Sequence, residues 1–348
     1  MADIGKRKVD HLDLATRGDV GFLHATTLFE CVTLVHDALP ELDFASIDTS
    51  TTILGKRLSA PLLIAGMTGG TERAERINHE LAAIAEERGY AFGLGSQRPL
   101  LKNPTTLATY AVRERAPNVL LFGNLGVVQA GKLPTSAIDA LVKLVEADAL
   151  CVHLNPAMEL VQREGDRDFR GGIATLARLA HELAVPVIAK ETGSGIASRV
   201  AARLRKAGIR HVDVSGAGGT SWVAVEMQRA EGTARGVGET FRDWGVPTAA
   251  SVALVARHGF DTVIATGGIG SGLDVAKAIA LGASLAGIAR PALQALESGG
   301  RDAVIAFFDR IEAELKTAML LVGADSLSAL REAPRLITGA LDAWLRQG

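Results

Sequence analysis

The stretch 262–290, TVIATGGIGSGLDVAKAIALGASLAGIAR, decides the fold. TVIATGG (262–268) is an apolar run that ends in two glycines. GLDVAKAIALGA (272–283) repeats apolar residues at helical spacing, and SLAGIAR (284–290) is a second apolar run. Strands that lack apolar–polar alternation are buried on both faces, as parallel sheets require. The stretch therefore reads as strand, helix and parallel strand. The same unit recurs upstream. PLLIAG (61–66), AFGLG (91–95), NVLLFGN (118–124), ALCVHLN (149–155), VPVIAKE (185–191) and RHVDVSG (210–216) are further strand candidates. Helical patterns fall at 74–90, 104–115, 136–147, 172–183, 198–208 and 247–258, with Gly89 as a stop and Pro247 in a first turn.

Eight such units predict one α/β domain over 1–348, a (β/α)8 TIM barrel, with an open doubly wound sheet as the alternative. Residues 1–58 read as a polar, irregular N-terminal extension, 60–290 as the barrel core and 291–348 as C-terminal helices. The Gly-rich stretch 216–246 is long for a loop in such a barrel, and is a candidate lid or wall.

Composition narrows the function. Of 348 residues, 48% are hydrophobic and 22% charged, enough for a sizeable core and against wholesale disorder. The net charge of −2 gives no basic excess for nucleic acid or an anionic membrane. No apolar run approaches the ~18 residues of a membrane span. MADIGKRKVD lacks the apolar segment of a secretory signal, so a cytoplasmic location is expected. Two cysteines, Cys31 and Cys151, exclude a disulfide scaffold and leave zinc unsupported. No Gly-x-Ser-x-Gly elbow suggests a serine hydrolase.

In these barrels the chemistry sits where strands end. The ends carry Met67-Thr68-Gly69-Gly70, Ser96-Gln97-Arg98, Asn124, His153 with Asn155, Lys190-Glu191 and Ser215 through Thr220. The last two carry Gly267-Gly268-Ile269-Gly270 and Ala289-Arg290. Glycines after strand seven, a helix N-terminus and Arg290 suit a phosphate; tight turns are the plainer reading. Lys190 reads as a Schiff-base lysine, as a cation against an electron-rich ring, or as a lysine paired with Glu191 or another acid. Residues two apart on a strand share a face, so His153 and Asn155 point the same way. Glu159 is a candidate ligand for a hard cation such as Mg2+, or a solvated loop acid. Arg7, Lys8 and His11 form a basic cluster that, taken alone, suits a solvated tail.

RKVDHL (7–12), MTGG (67–70), GSQR (95–98), HLNPAME (153–159), GDRDF (165–169), KETGSGI (190–196) and SGAGGTSW (215–222) together resemble the type 2 isopentenyl-diphosphate isomerase family. The resemblance runs from Arg7 to about Arg290. It implies an FMN-containing barrel that interconverts isopentenyl and dimethylallyl diphosphates with reduced flavin and Mg2+, NAD(P)H serving as reductant. It implies FMN contacts from Met67, Thr68, Gly69, Ser96, Asn124, Lys190, Ser215 and Thr220. Gly268, Gly270, Gly272, Ala289 and Arg290 would hold the FMN phosphate. Arg7, Lys8, His11, Ser96, Arg98, His153 and Asn155 would bind substrate, and Glu159 would bind Mg2+ through the diphosphate. His153, Lys190 and position 158 would be catalytic. A homo-oligomer is expected.

The family pattern ends HLN with Gln-Glu, whereas this chain has Met158-Glu159. A thioether has no exchangeable proton and is a weak acceptor. Impaired turnover, an altered prenyl diphosphate or lost activity all follow as expectations. An FMN-dependent 2-hydroxy-acid oxidoreductase is the other reading, but it uses a histidine after strand six, which SGAGGTSW lacks.

Overall fold

The computed structural model describes residues 4–347. Eight parallel strands close into a barrel, which excludes the open sheet. In chain order they are β1 (Leu62–Ile64), β2 (Ala91–Gly93), β3 (Leu120–Gly126), β4 (Ala149–His153), β5 (Val187–Lys190), β6 (His211–Asp213), β7 (Thr262–Thr266) and β8 (Leu285–Ile288). Closure is by β8 on β1, where Ala286, Gly287 and Ile288 face Leu62, Leu63 and Ile64. Leu63, Leu120, Phe122, Cys151, Ile188 and Leu285 fill the barrel interior. The opposite strand faces pack on the helices, for example Ile64 and Phe92 with Leu81 and Ile84.

The hairpin of Thr51–Ile53 and Lys56–Leu58 shuts the bottom of this interior. Ile53 and Leu58 join the inner cluster, while Lys56 bonds Asn118 O, Val119 O and Asp148 at the N-terminal ends of β3 and β4. Chemistry is thereby confined to the other end.

Several expectations need correction. The N-terminal extension is not irregular, because Ile4–Arg17 is a helix. Its sequence looks polar because only Leu12 and the flanking Leu14 and Ala15 pack on apolar clusters, while the buried His11 meets polar groups. The pattern at 104–115 is a short helix, Arg98–Lys102, followed by a 3-10 turn, Pro104–Thr109. The side chain and carbonyl of Asn103 claim the backbone N–H groups of Thr105 and Thr106 there. The stretch 216–246 holds two helices, Trp222–Arg229 and Gly232–Phe241. Pro247 precedes the helix Thr248–Ala256 instead of lying within it. The C-terminal region adds a strand, Arg335–Ile337, antiparallel to Val32–Leu34. Gly89 does end its helix, Glu72–Arg88, in the left-handed region at φ 66°.

No helix among the described residues is long and apolar enough to cross a membrane. Both cysteines are free thiols.

Because Ile53 seals the barrel floor, Ile53→Ala should lower the unfolding free energy by about 2–5 kcal/mol. Urea denaturation checks this, and ligand affinity at the far end should stay unchanged.

Candidate active site

The C-terminal strand ends surround a cavity of about 460 Å3. The helix Ile4–Arg17 lies across its mouth and brings Arg7, Lys8 and His11 into the lining. His11 Nε2 meets Glu226 Oε1 at 2.8 Å and its ring stands edge-on to Trp222 at 5.3 Å. Arg229 bonds Asp10, and Gln294 Nε2 donates to Thr16 O. Arg290 donates to Ala15 O and Gly18 O, both at 2.8 Å. Arg290 therefore lines the cavity while also holding the end of this helix, and three of its five N–H donors remain.

Arg7, Lys8 and Arg98 converge on one wall, and no ion pair forms to any of them among the described residues. Burial, and then Arg7 and Arg98, push the Lys8 ammonium down to about 8. Burial and Arg98 likewise lower the Arg7 guanidinium. Such crowding is unfavourable until an anion enters.

His153 ends β4 beside this cluster. Burial, Lys190, Lys8 and Arg98 push its imidazole down to about 3, so it is neutral near pH 7. Its Nδ1 lies 2.7 Å from Asn124 Oδ1, while Asn124 Nδ2 donates to Leu94 O. A carbonyl oxygen only accepts, so the proton sits on Nδ1 and Nε2 carries the lone pair. Asn155 Nδ2 donates to Glu159 Oε1 at 2.9 Å and lies 4.0 Å from Met158 Sδ. The Glu159 carboxylate also accepts from Asp166 N at 2.7 Å, which gives the GDRDF loop a structural task. No cluster of three or more metal-ligating acids, histidines or cysteines occurs among the described residues. A cation at Glu159 would need oxygens from a bound phosphate.

Lys190 ends β5 and pairs with Asp213 Oδ2 at 2.8 Å, with both side chains buried. Its Nζ also donates to Glu191 O. The Glu191 carboxylate points away, accepting from Thr192 N and Ser194 N, and burial pushes it up to about 7. The acid that Lys190 pairs with is thus Asp213, not the Glu191 side chain. Asp213 also accepts from Thr266 Oγ1 at 2.5 Å and from Ser215 N.

The donor set fits the FMN that the resemblance implies. Thr68 Oγ1, buried at the end of β1, has no hydrogen-bond partner. Lys190 stands in the cavity as a buried cation, and Met67, Ser96, Ser215 and Thr220 line the same space. Gly268, Gly270, Ala289 and Arg290 line the phosphate end, where the helix Arg290–Leu321 begins without a side-chain cap.

Three expected residues lie outside the lining. Asn124 stands behind His153 and sets its tautomer. A Cβ at Gly69 would strike the Tyr110 ring at 2.2 Å, so Gly69 serves close packing. At Gly272 a Cβ would come within 2.1 Å of Ile311 O, and its N–H already donates to Glu314. Asp274 accepts from Gly270 N and Ser271 N. Carboxylates thus occupy this helix start, which leaves Gly268, Ile269 and the start of the helix at Arg290 as the lining open to the phosphate that the resemblance implies.

Asp213, Glu226, Trp222 and Gln162 were missed. A charged residue inside the apolar run RHVDVSG, two before Ser215 and so on its face, was the available signal for Asp213. Glu226 and Trp222 lie in the stretch read as loop.

A family model for FMN-dependent dehydrogenases matches residues 145–337. An isopentenyl-diphosphate delta-isomerase of Methanothermobacter thermautotrophicus is 44% identical over 345 residues, covering 99% of this chain and 96% of the relative. One from a Nostoc species is 45% identical over 341 residues, covering 96% of each. A lactate oxidase structure from Pediococcus acidilactici aligns with TM-score 0.67 at 16% identity, covering 96% of this chain and 93% of that one. A mandelate oxidase variant with an FMN adduct aligns with TM-score 0.65 at 19% identity, covering 94% and 95%. These two show the barrel fold only.

Lys8 is charged below its value of about 8 and neutral above it. Affinity for inorganic diphosphate should therefore hold below pH 8 and decline above it, by up to about tenfold per pH unit. In Lys8→Arg that decline should vanish. Calorimetry on both proteins from pH 6.5 to 9.5 separates it from the ligand's own titration.

Proposed function

This chain belongs to the isopentenyl-diphosphate delta-isomerase family, and on that premise we propose that it interconverts isopentenyl and dimethylallyl diphosphates with FMN and Mg2+ bound. The observation that carries the reading is the group Arg7, Lys8 and Arg98, crowded beside a neutral His153 with no direct ion pair among the described residues, Glu226 and Glu159 offsetting the burial of Arg7 only in part. An anion with several charges is what this wall lacks. A diphosphate supplies those charges and leaves its hydrocarbon chain for the rest of the cavity.

Isomerisation adds a proton at one end of an allylic system and removes one at the other. When bound, reduced FMN supplies electron density and a nitrogen acid/base beside the alkene, and NAD(P)H is the proposed source of its electrons. Thr68, Ser96, Ser215 and Thr220 would hold the flavin, with Gly268, Ala289 and Arg290 at its phosphate. Lys190 places a positive charge against an anionic ring, and Asp213 fixes its position. Arg7, Lys8 and Arg98 anchor the diphosphate. Glu159, oriented by Asn155 and Asp166 N, would share Mg2+ with it. His153, held in one tautomer by Asn124, offers a lone pair at Nε2 to a donor. The helix Ile4–Arg17 covers the mouth and shields developing positive charge from water. Anchoring at the remote diphosphate supplies the orientation that the proton transfers need.

A second reading follows from Met158, which lines the cavity where the family pattern has glutamine. Its sulfur meets Asn155 Nδ2 only at 4.0 Å, so position 158 itself offers no strong acid or acceptor. The reading is an isomerase with slowed turnover or a preference for a bulkier alkenyl chain. The 2-hydroxy-acid oxidoreductase reading lacks its base, because SGAGGTSW, directly after β6, holds no histidine.

The purified protein should be yellow and take up FMN, not FAD. Anaerobic incubation with isopentenyl diphosphate, FMN, Mg2+ and NADPH in D2O should give deuterated dimethylallyl diphosphate. A colourless protein that refuses FMN would overturn the assignment. Positioned acid–base groups contribute about 10²–10⁴-fold, so Met158→Gln should raise turnover while leaving FMN affinity unchanged. Equal rates in the two proteins would show that Met158 does not limit proton transfer.

A further inference from the structure

Four buried side-chain polar atoms among the described residues have no hydrogen-bond partner, and three of them belong to residues that line the cavity at the strand ends: Arg7 Nε, Thr68 Oγ1 and Gln162 Nε2. A buried donor without an acceptor is costly. Three around one cavity mark where acceptors are to arrive. Arg7 faces the proposed diphosphate and Thr68 the proposed flavin. Gln162 belongs to neither set.

Gln162 follows the short helix Pro156–Val161, one turn after Met158. Its backbone is pinned: its N–H donates to Met158 O, and its carbonyl accepts from Gly165 N and Arg167 Nη2. The residue is 4% exposed. The amide end nonetheless turns about its last torsion, which is broad for such groups. It can therefore present N–H to whatever enters. The hydrocarbon half of a prenyl diphosphate offers no acceptor, whereas the diphosphate offers several. Glu159, three residues before Gln162, lines the same cavity and is the proposed partner of the Mg2+-bound diphosphate.

We propose that Gln162 is a substrate-contacting residue whose side-chain amide donates to a diphosphate oxygen, one helical turn beyond Met158. The proposal rests on the diphosphate reading of the cavity but not on isomerase turnover. It also predicts an inverse relation between stability and binding. Removing an unpartnered buried N–H should leave the ligand-free protein as stable or more stable, while the ligand loses a donor.

The test uses Gln162→Met, which keeps length and removes the amide, and Gln162→Glu, which keeps shape and sets a carboxylate against the anion. The probe is inorganic diphosphate, titrated by calorimetry into the protein as purified. A hydrogen bond to a charged group predicts about 10- to 100-fold weaker binding in Gln162→Met. Gln162→Glu should weaken it further at pH 8 than at pH 5. FMN affinity should not move, and the Tm of Gln162→Met should be equal to or above that of the unaltered protein. Unchanged diphosphate affinity in either variant would overturn the proposal, as would a lowered Tm in both with FMN and diphosphate affinity falling together. If the unaltered protein fails to isomerise isopentenyl diphosphate yet diphosphate affinity depends on Gln162, the isomerase assignment falls and this proposal stands. If turnover is normal and Gln162→Met leaves both KM and diphosphate affinity unchanged, the assignment stands and this proposal falls.

Discussion

A closed barrel of parallel strands has no face to turn toward water. Its inner surface is packed with Leu63, Phe122, Ile188 and Leu285, and its outer surface is covered by helices. The hairpin at Ile53 and Leu58 closes one end. Polar side chains are therefore tolerated only at the other end, or inside with a partner of opposite charge. Lys190 and Asp213 meet the second condition. An isolated ion of either sign at that depth would be driven towards its neutral form. The pair keeps a charged ammonium under the cavity, and Thr266 and Ser215 N satisfy the remaining carboxylate positions.

The upper wall works in the opposite way. Arg7, Lys8 and Arg98 are crowded with no direct ion pair among the described residues, and the nearby Glu226 and Glu159 only partly offset the burial of Arg7, so the protein holds these charges in an unfavourable arrangement. Burial first, and then repulsion from Lys190, Lys8 and Arg98, keeps His153 neutral, which permits a defined tautomer beside several cations. Binding an anion relieves the crowding, and the affinity so gained is aimed at one end of the ligand. The lower charged pair is self-contained, and the upper one is completed by what enters.

Most of the barrel could be read because its strands are continuous apolar runs separated by helices, a pattern that few other folds share. The strand-end residues followed from that reading, and most of them meet in one cavity. The misses have physical causes. The helix Ile4–Arg17 looked like a tail because few of its inward residues are apolar: Leu12, Leu14 and Ala15 pack on hydrophobic clusters, while Arg7, Lys8 and His11 line the cavity. Gly272 looked like part of the phosphate cradle because it sits in a glycine cluster, but its missing Cβ admits the backbone of a neighbouring helix. Asn124 looked like a ligand contact because it ends a strand, yet its carbonyl is turned to His153. Glu226 could not be found from sequence, because its partner His11 is 215 residues away.

That separation has a consequence for how the molecule is made. His11 reaches Glu226, Asp10 reaches Arg229, and Ala15 and Gly18 reach Arg290. The helix Ile4–Arg17 is thus among the last elements to find its place, since its partners are synthesised more than two hundred residues later. Contacts of such long range form slowly, after the chain between them has collapsed. Until then the mouth stays open and its basic residues remain in solvent. The barrel seam waits just as long, since Ala286 on β8 must meet Leu62 on β1; cover and vessel both close only when the distant half of the chain is present.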